Sequence, residues 1–276
     1  MMLSRRPRHP ALVPLVESLW VHRAELRHRF ERALPTGRMQ LLVNLDGDQL
    51  TEHLDITHVN RAGGSALQGA RAAPVVLDTS EQRAICGVSF LPGGALPFLA
   101  VPASAVTGQL IDLSELWGRA ASVLRERLLE TMDPASQLDV LEIALLRQAH
   151  HAPQADGAVE RACALLVQGA RISAVRDHLG LAPKDLIDRF RKCIGLPPKL
   201  FARVARFQRL IASLGREPRW ADAALEHGFA DQAHLIREFT GFAGVTPTAY
   251  RARSPEAVNH CPVREIFFNT EPRRGP

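Results

Sequence analysis

The chain has 276 residues, of which 46% are hydrophobic and 23% charged, with a formal net charge of +5. That length suits two domains, and the composition is that of an ordinary soluble globular protein. No apolar run approaches the roughly 20 residues that cross a bilayer, and the basic start lacks the apolar core and cleavage site of a secretory signal; a cytoplasmic location without membrane contact is expected.

The first ninety residues read as strand-rich. Residues 18–23, 39–45 and 85–90 are short apolar or alternating runs, and residues 75–77 are a shorter candidate. Turn-formers separate them at Pro35-Thr36-Gly37, Asp46-Gly47-Asp48 and Gly63-Gly64. Regular barrel strands are not evident in this stretch. Cys86 lies in the apolar run ICGVSF and is expected to fill core. The four cysteines, Cys86, Cys163, Cys193 and Cys261, include no Cys-x-x-Cys pair, which suits reduced thiols over disulfides or a zinc site.

Helical periodicity takes over after Leu91-Pro92-Gly93-Gly94. Ser114 is positioned to cap a helix beginning at Glu115. Residues 122–132 and 138–149 follow as amphipathic helices, with Val123, Leu124, Leu128 and Leu129 on one side of the first. Together these patterns predict an α+β N-terminal domain over residues 1–150, short strands followed by helices. The polar stretch HHAPQADG (150–157) supplies a linker, set at 151–157. Charge divides at the same place. Residues 1–156 carry 15 Lys+Arg against 17 Asp+Glu, whereas residues 157–253 carry 16 against 9. A basic domain joined to a slightly acidic one is a reasonable footprint for nucleic-acid binding.

From residue 158 to 253 the chain reads as helices only, followed by a tail (254–276) with a strand-like stretch at 265–269. Within this helical region a single pattern occurs twice, at 172–201 and 221–250. A constant shift of 49 positions places Ala174 on Ala223, His178 on His227, Leu186 on Leu235, Phe190 on Phe239, Gly195 on Gly244 and Pro198 on Pro247. Each copy has two short helical patterns around a tight turn, the layout of a helix-turn-helix. Gly180 and Gly228 supply the left-handed backbone of the turn. Pro183 suits the first helical position, and Asp231 suits the cap of the matching helix. The residues 198–214 form the expected connecting helix, with Arg203, Arg206 and Arg209 on it; these contact phosphate or simply cover apolar surface with their stems. Glu217-Pro218 is read as its break.

Leu186 with Phe190, and Leu235 with Phe239, are four apart and share the inward face. Outward positions are then Lys184, Asp185, Ile187, Asp188 and Arg191 in the first copy, and Gln232, Ala233, His234, Ile236 and Arg237 in the second. Lys184 and Arg237 can donate to guanine or phosphate, Gln232 can pair with adenine, and Asp188 can accept from cytosine. The candidate DNA-binding residues are therefore Lys184, Ile187, Asp188, Arg191, Gln232, His234 and Arg237.

The motifs LGLAPKDLIDRFRKCIGLPPKLFARVARFQRL and AALEHGFADQAHLIREFTGFAGVTPTAYR resemble the DNA-binding domain of AraC/XylS-type bacterial transcription regulators. The resemblance implies two helix-turn-helix units joined by a helix, reading adjacent major-groove segments of double-stranded DNA. By position it implies base contacts from Lys184, Ile187, Asp188, Gln232, His234 and Arg237. Asp188 stands where a basic or amide residue is common in that family. The runs LPTGRMQLLVNLDG and LPGGALPFLAVPASAVTGQLIDLSELWG are more loosely similar to the sensor-like domain ahead of this module in some members.

No catalytic residue, metal site or cofactor is expected. His53, His58 and the His150-His151 pair lack metal-ligand spacing, and neither a phosphate loop nor a Gly-x-Ser-x-Gly elbow occurs. The reading is a transcription regulator controlled by a small-molecule effector or partner at residues 1–150. RNA polymerase and self-association through the N-terminal domain are the further candidate partners. The alternative is an enzyme domain, of repair type for instance, fused to a DNA-targeting module. Activation and repression stay open, as do effector and operator.

Overall fold

The computed structural model describes residues 1–149, 156–214, 219–254 and 257–263. The expected linker core at 150–155, the helix break at Glu217-Pro218 and the strand-like stretch at 265–269 lie outside them. The strands are β1 (Met2–Arg5), β2 (Val16–Arg23), β3 (Phe30–Ala33), β4 (Gln40–Asn44), β5 (Gln49–His53), β6 (Val59–Gly63), β7 (Ser65–Gln68), β8 (Val75–Asp78), β9 (Ala84–Phe90), β10 (Leu110–Asp112) and β11 (His260–Val263). The helices are α1 (Leu113–Trp117), α2 (Arg119–Glu130), α3 (Pro134–Ala149), α4 (Gly157–Val167), α5 (Ile172–Leu179), α6 (Pro183–Cys193), α7 (Pro198–Ser213), α8 (Trp220–Glu226) and α9 (Gln232–Ala243). None of the described helices is long and apolar enough to cross a membrane.

The strands form two antiparallel sheets, in the orders β1-β2-β9-β4-β7-β10 and β11-β3-β8-β5-β6. This is a correction to the sequence reading, which found no run of barrel strands and only four strand candidates. The register explains the miss. On the first sheet, Trp20 pairs with Gly87, Gly87 with Leu42, and Leu42 with Ala66, so these four share a face. Two residues along each strand, that same face carries Ser18, His22, Ser89, Gln40 and Gln68. Its pattern is therefore polar where a buried strand face should be apolar, and the alternation signal fades.

The opposite face is a conventional core. Leu19, Val21, Leu41, Val43, Leu67, Val88 and Phe90 pack with Trp117, Leu124, Leu128, Leu138, Leu141 and Leu145 of α1 to α3. Cys86 belongs to this core, and burial pushes its thiol up to about 12. The cap of α1 is Asp112, whose carboxylate accepts from the Ser114 amide at 2.9 Å, rather than Ser114 itself. Ser114 instead donates its hydroxyl to that carboxylate at 2.6 Å.

The helical region has two cores. The first unit, α5 and α6 with α4 behind them, buries Val159, Cys163, Leu166, Val175, Leu186 and Phe190 continuously with the N-terminal core. Thr107 reinforces this junction by donating to the Gly195 carbonyl at 3.0 Å. A separate core forms around the second unit from Phe207, Leu210, Ile211, Phe229, Leu235, Phe239 and Tyr250. Helix α7 belongs to both: Phe201 meets Phe190 edge-on at 5.8 Å, and Phe207 meets Phe239 at 5.4 Å. Past the second unit the chain returns to the N-terminal region as β11, which pairs antiparallel with β3.

Candidate nucleic-acid interface and cavity

The two helix pairs are built as their sequences dictate. Gly180 and Gly228 turn the corners at φ of +64° and +72°, where a Cβ is disfavoured. Pro183 opens α6 at a position that needs no N–H. The Asp231 carboxylate caps α9 by accepting from the His234 amide at 2.6 Å. On α6, Leu186, Phe190 and Cys193 are buried, while Lys184, Ile187, Asp188 and Arg191 are exposed. On α9, Leu235, Glu238 and Phe239 are buried, while Gln232, Ala233 and Arg237 are exposed.

His234 and Ile236 are half-buried instead of fully outward. The His234 ring meets Phe229 edge-on at 5.6 Å, and its Nδ1 accepts from the Ala230 amide at 3.2 Å. Its Nε2 also lies 3.5 Å from Glu238. That imidazole is occupied within its own unit.

Sequence reasoning missed the buried Glu238. Its carboxylate sits 2.8 Å from Arg203 and 2.7 Å from Arg206, clamping α9 to the connecting helix. Arg206 further stacks over Phe229 at 4.4 Å and donates to the Gly228 carbonyl at 2.8 Å. Arg209 reaches the other way and donates to the Val167 carbonyl at the end of α4, at 2.6 Å. All three arginines of α7 are thus bonded inside the protein. By contrast, Lys184, Arg191 and Arg237 form no ion pair or hydrogen bond among the described residues. The acidic residue with a helix-period position (Glu238 lies three after Leu235) was the available signal, but its partners come from another helix.

A cavity of about 290 Å³ lies between the inner faces of the two sheets. Trp20, Leu42, Ile85 and Leu110 supply its apolar wall, and His22, Gln40, Gln68, Glu52 and Arg71 are among its polar ones. A side chain at Gly87 would run into the Trp20 indole, so this glycine lets the ring lie against the strand. Glu52 and Arg71 pair at 2.6 Å, and both are nearly fully buried. Burial raises the Glu52 carboxyl, though the Arg71 charge opposes it, and burial lowers the Arg71 guanidinium. His22 is lowered by burial and then by the Arg253 charge, which favours its neutral form.

The remaining wall comes from the chain after the second unit: Arg253, Val258, Asn259 and His260. Arg253 lies 3.1 Å and His260 2.7 Å from the buried Glu31, with His28 on its other oxygen at 3.1 Å. Burial alone would raise Glu31; the His260 hydrogen bond, with the His260 and Arg253 charges, overcomes this and holds it at about 2. Asn259 in turn accepts from Gln208 of α7 at 2.8 Å, and the Tyr250 hydroxyl donates to the Val258 carbonyl at 2.6 Å.

Comparison with known proteins follows this division. Residues 175–253 match a family described as a helix-turn-helix domain. These residues are a helix-turn-helix domain. Residues 4–112 match a family described as a domain of unknown function, DUF6597. The chain is 29% identical over 168 residues to the arabinose operon regulatory protein of Escherichia coli (strain K12), covering 58% of this chain and 55% of that one. It therefore spans about half the length of that curated relative. Among solved structures, ToxT from Vibrio cholerae superimposes with a TM-score of 0.46 at 10% identity, over 90% of this chain and 96% of that one. ToxT with an unsaturated fatty acid bound gives 0.44 at 12%, over 89% and 93%. In this chain the helix-turn-helix domain joins an N-terminal two-sheet region, and both of its units touch that region.

Proposed function

We propose that the protein is a sequence-specific DNA-binding transcription regulator whose helices α6 and α9 enter adjacent major-groove segments. The observation that carries this reading is the division of labour among the cations. Lys184 and Arg191 on α6 and Arg237 on α9 are unspent, whereas Arg203, Arg206 and Arg209 of the connecting helix are bonded to the two units. Lys184 and Arg191 supply donors on the first helix, with Ile187 available for a thymine methyl and Asp188 for a cytosine amine; Gln232 and Arg237 act on the second. His234 acts by orienting α9. The 16 residues of α7 span about 24 Å at ~1.5 Å per residue. With a packed unit at either end, such a spacer suits probes about one DNA turn, roughly 34 Å, apart.

Control is assigned to a small molecule in the two-sheet cavity. Its wall includes Val258 and Asn259, which are bonded to Tyr250 and Gln208, so an occupant touches the same segment that braces the second unit. Residues 1–150 form the regulatory region in this reading and 158–253 the DNA-binding one.

Fluorescence anisotropy of the full chain on fragments of its own upstream region tests the proposal. The full chain is needed because the first unit shares its core with the N-terminal region. Preferred fragments should bind with log affinity falling against log salt by about 0.9 per phosphate contacted. Affinity indifferent to both sequence and salt would end the proposal.

A further inference from the structure

The chemistry of the cavity narrows what can occupy it. An interior between two packed sheets is ordinarily apolar, and a buried pair such as Glu52–Arg71 is a poor source of stability compared with apolar residues of the same size. The polar face is therefore not explained by folding.

Its charges are balanced from within. Glu31 is matched by Arg253, His260 and His28, Glu52 by Arg71, and Arg38 by Glu17. A ligand carrying net charge would enter this space at a high desolvation cost. Hydrogen-bonding capacity is not balanced in the same way. Arg71 gives its Nη2 to Glu52, while its Nη1, the other Glu52 oxygen (Oε2) and His22 Nε2 are buried without a partner. A guanidinium N–H asks for an acceptor. A carboxylate there would lie beside that of Glu52, whereas a neutral carbonyl oxygen meets no repulsion. Trp20, held against Gly87, offers a flat apolar wall beside Leu42, Ile85 and Leu110. The volume falls at the lower end of small-molecule sites, which favours a compact occupant.

Resting on the regulator reading above, we propose that the cavity binds a compact, net-neutral molecule with a planar ring and a carbonyl. The carbonyl oxygen accepts from the Arg71 guanidinium once a turn of that side chain brings Nη1 to the cavity surface, the ring packs on Trp20, and a polar ring atom faces His22.

Isothermal titration calorimetry of the full chain with uracil, nicotinamide, benzoate and oleate tests this directly. Uracil or nicotinamide should bind saturably, and at least about tenfold more tightly than either anion, a difference of ~1.4 kcal/mol. Arg71→Met alone would leave Glu52 buried and unpaired, so the variant of choice is Glu52→Gln with Arg71→Met. It should lose that binding about tenfold or more, and Trp20→Ala should weaken it independently. Tighter binding of benzoate or oleate, unchanged binding by the double variant, or no heat from either neutral ring would overturn the ligand class. Anisotropy on promoter DNA with the same preparation separates the two readings: retained DNA binding leaves the regulator standing whatever the calorimetry gives.

Discussion

In the proposed reading, arginine has two jobs in the helix-turn-helix domain. Arg237 points away from the protein with no partner, so Arg237→Ala should cost ~1–3 kcal/mol on the preferred DNA site, as should Gln232→Ala if it reads adenine; neither should move the unfolding midpoint appreciably. Arg206→Ala should do the reverse. Removing one of the two cations on buried Glu238 should cost ~1–3 kcal/mol in urea unfolding, while the salt dependence of DNA binding stays the same. A salt slope reduced by about one would instead make Arg206 a phosphate contact. The outward faces of α6 and α9 were legible because side chains four apart must share a side of a helix. The role of Arg203, Arg206 and Arg209 was not, because their partners (Glu238 and the end of α4) lie on other elements at long sequence separation. His234 was obscured in the same way: its spacing allows an outward ring, but Phe229 and Glu238 hold it.

Among the elements, β11 is the most informative. It closes the second sheet from the far end of the chain, and Glu31 on β3 is its electrostatic anchor. The Glu31 carboxyl is held near 2 against an ordinary 4.5, so its charged form is favoured by folding. A depressed carboxyl contributes stability fully above its unfolded value and loses it as pH falls towards the folded one. The stability difference between the native protein and Glu31→Gln should therefore shrink as pH falls from about 4.5 to 2. Urea unfolding across that range measures it, and a gap that persisted unchanged to pH 2 would contradict the assignment. Tyr250→Phe removes one hydroxyl bond to the same segment and should cost ~1 kcal/mol. The strands were only partly legible in the sequence. β2, β4, β8 and β9 carry apolar runs, but β1, β5, β6, β7 and β10 spend alternate positions on the cavity or are too short to show a period. The polar inward set (Ser4, Gln40, Gln68, Glu52) erased the pattern that would have announced two facing sheets. Functional demand and strand signal compete for the same residues there.

At the scale of the whole molecule, the two helix-turn-helix units have different neighbours. The first is continuous with the N-terminal core, and the second is braced by α7 and the segment after Tyr250. On the proposed reading, a small molecule in the cavity would act on the second unit more directly than on the first, and should change affinity for the half-site assigned to α9 more than for the one assigned to α6. The repeat itself was legible from spacing alone, since a 49-residue shift superimposes both the inward residues and the turn glycines. How the N-terminal region grips that repeat was not, because Thr107, Leu34 and Gln208 carry no motif. The central claim, two probes on one spacer reading consecutive grooves, is tested most directly by inserting 5 base pairs between the two half-sites. Half a helical turn moves one half-site to the opposite side of the duplex. Anisotropy with the full chain should then show affinity falling more than about tenfold, towards the level for unrelated DNA. Undiminished affinity for the interrupted site would contradict it.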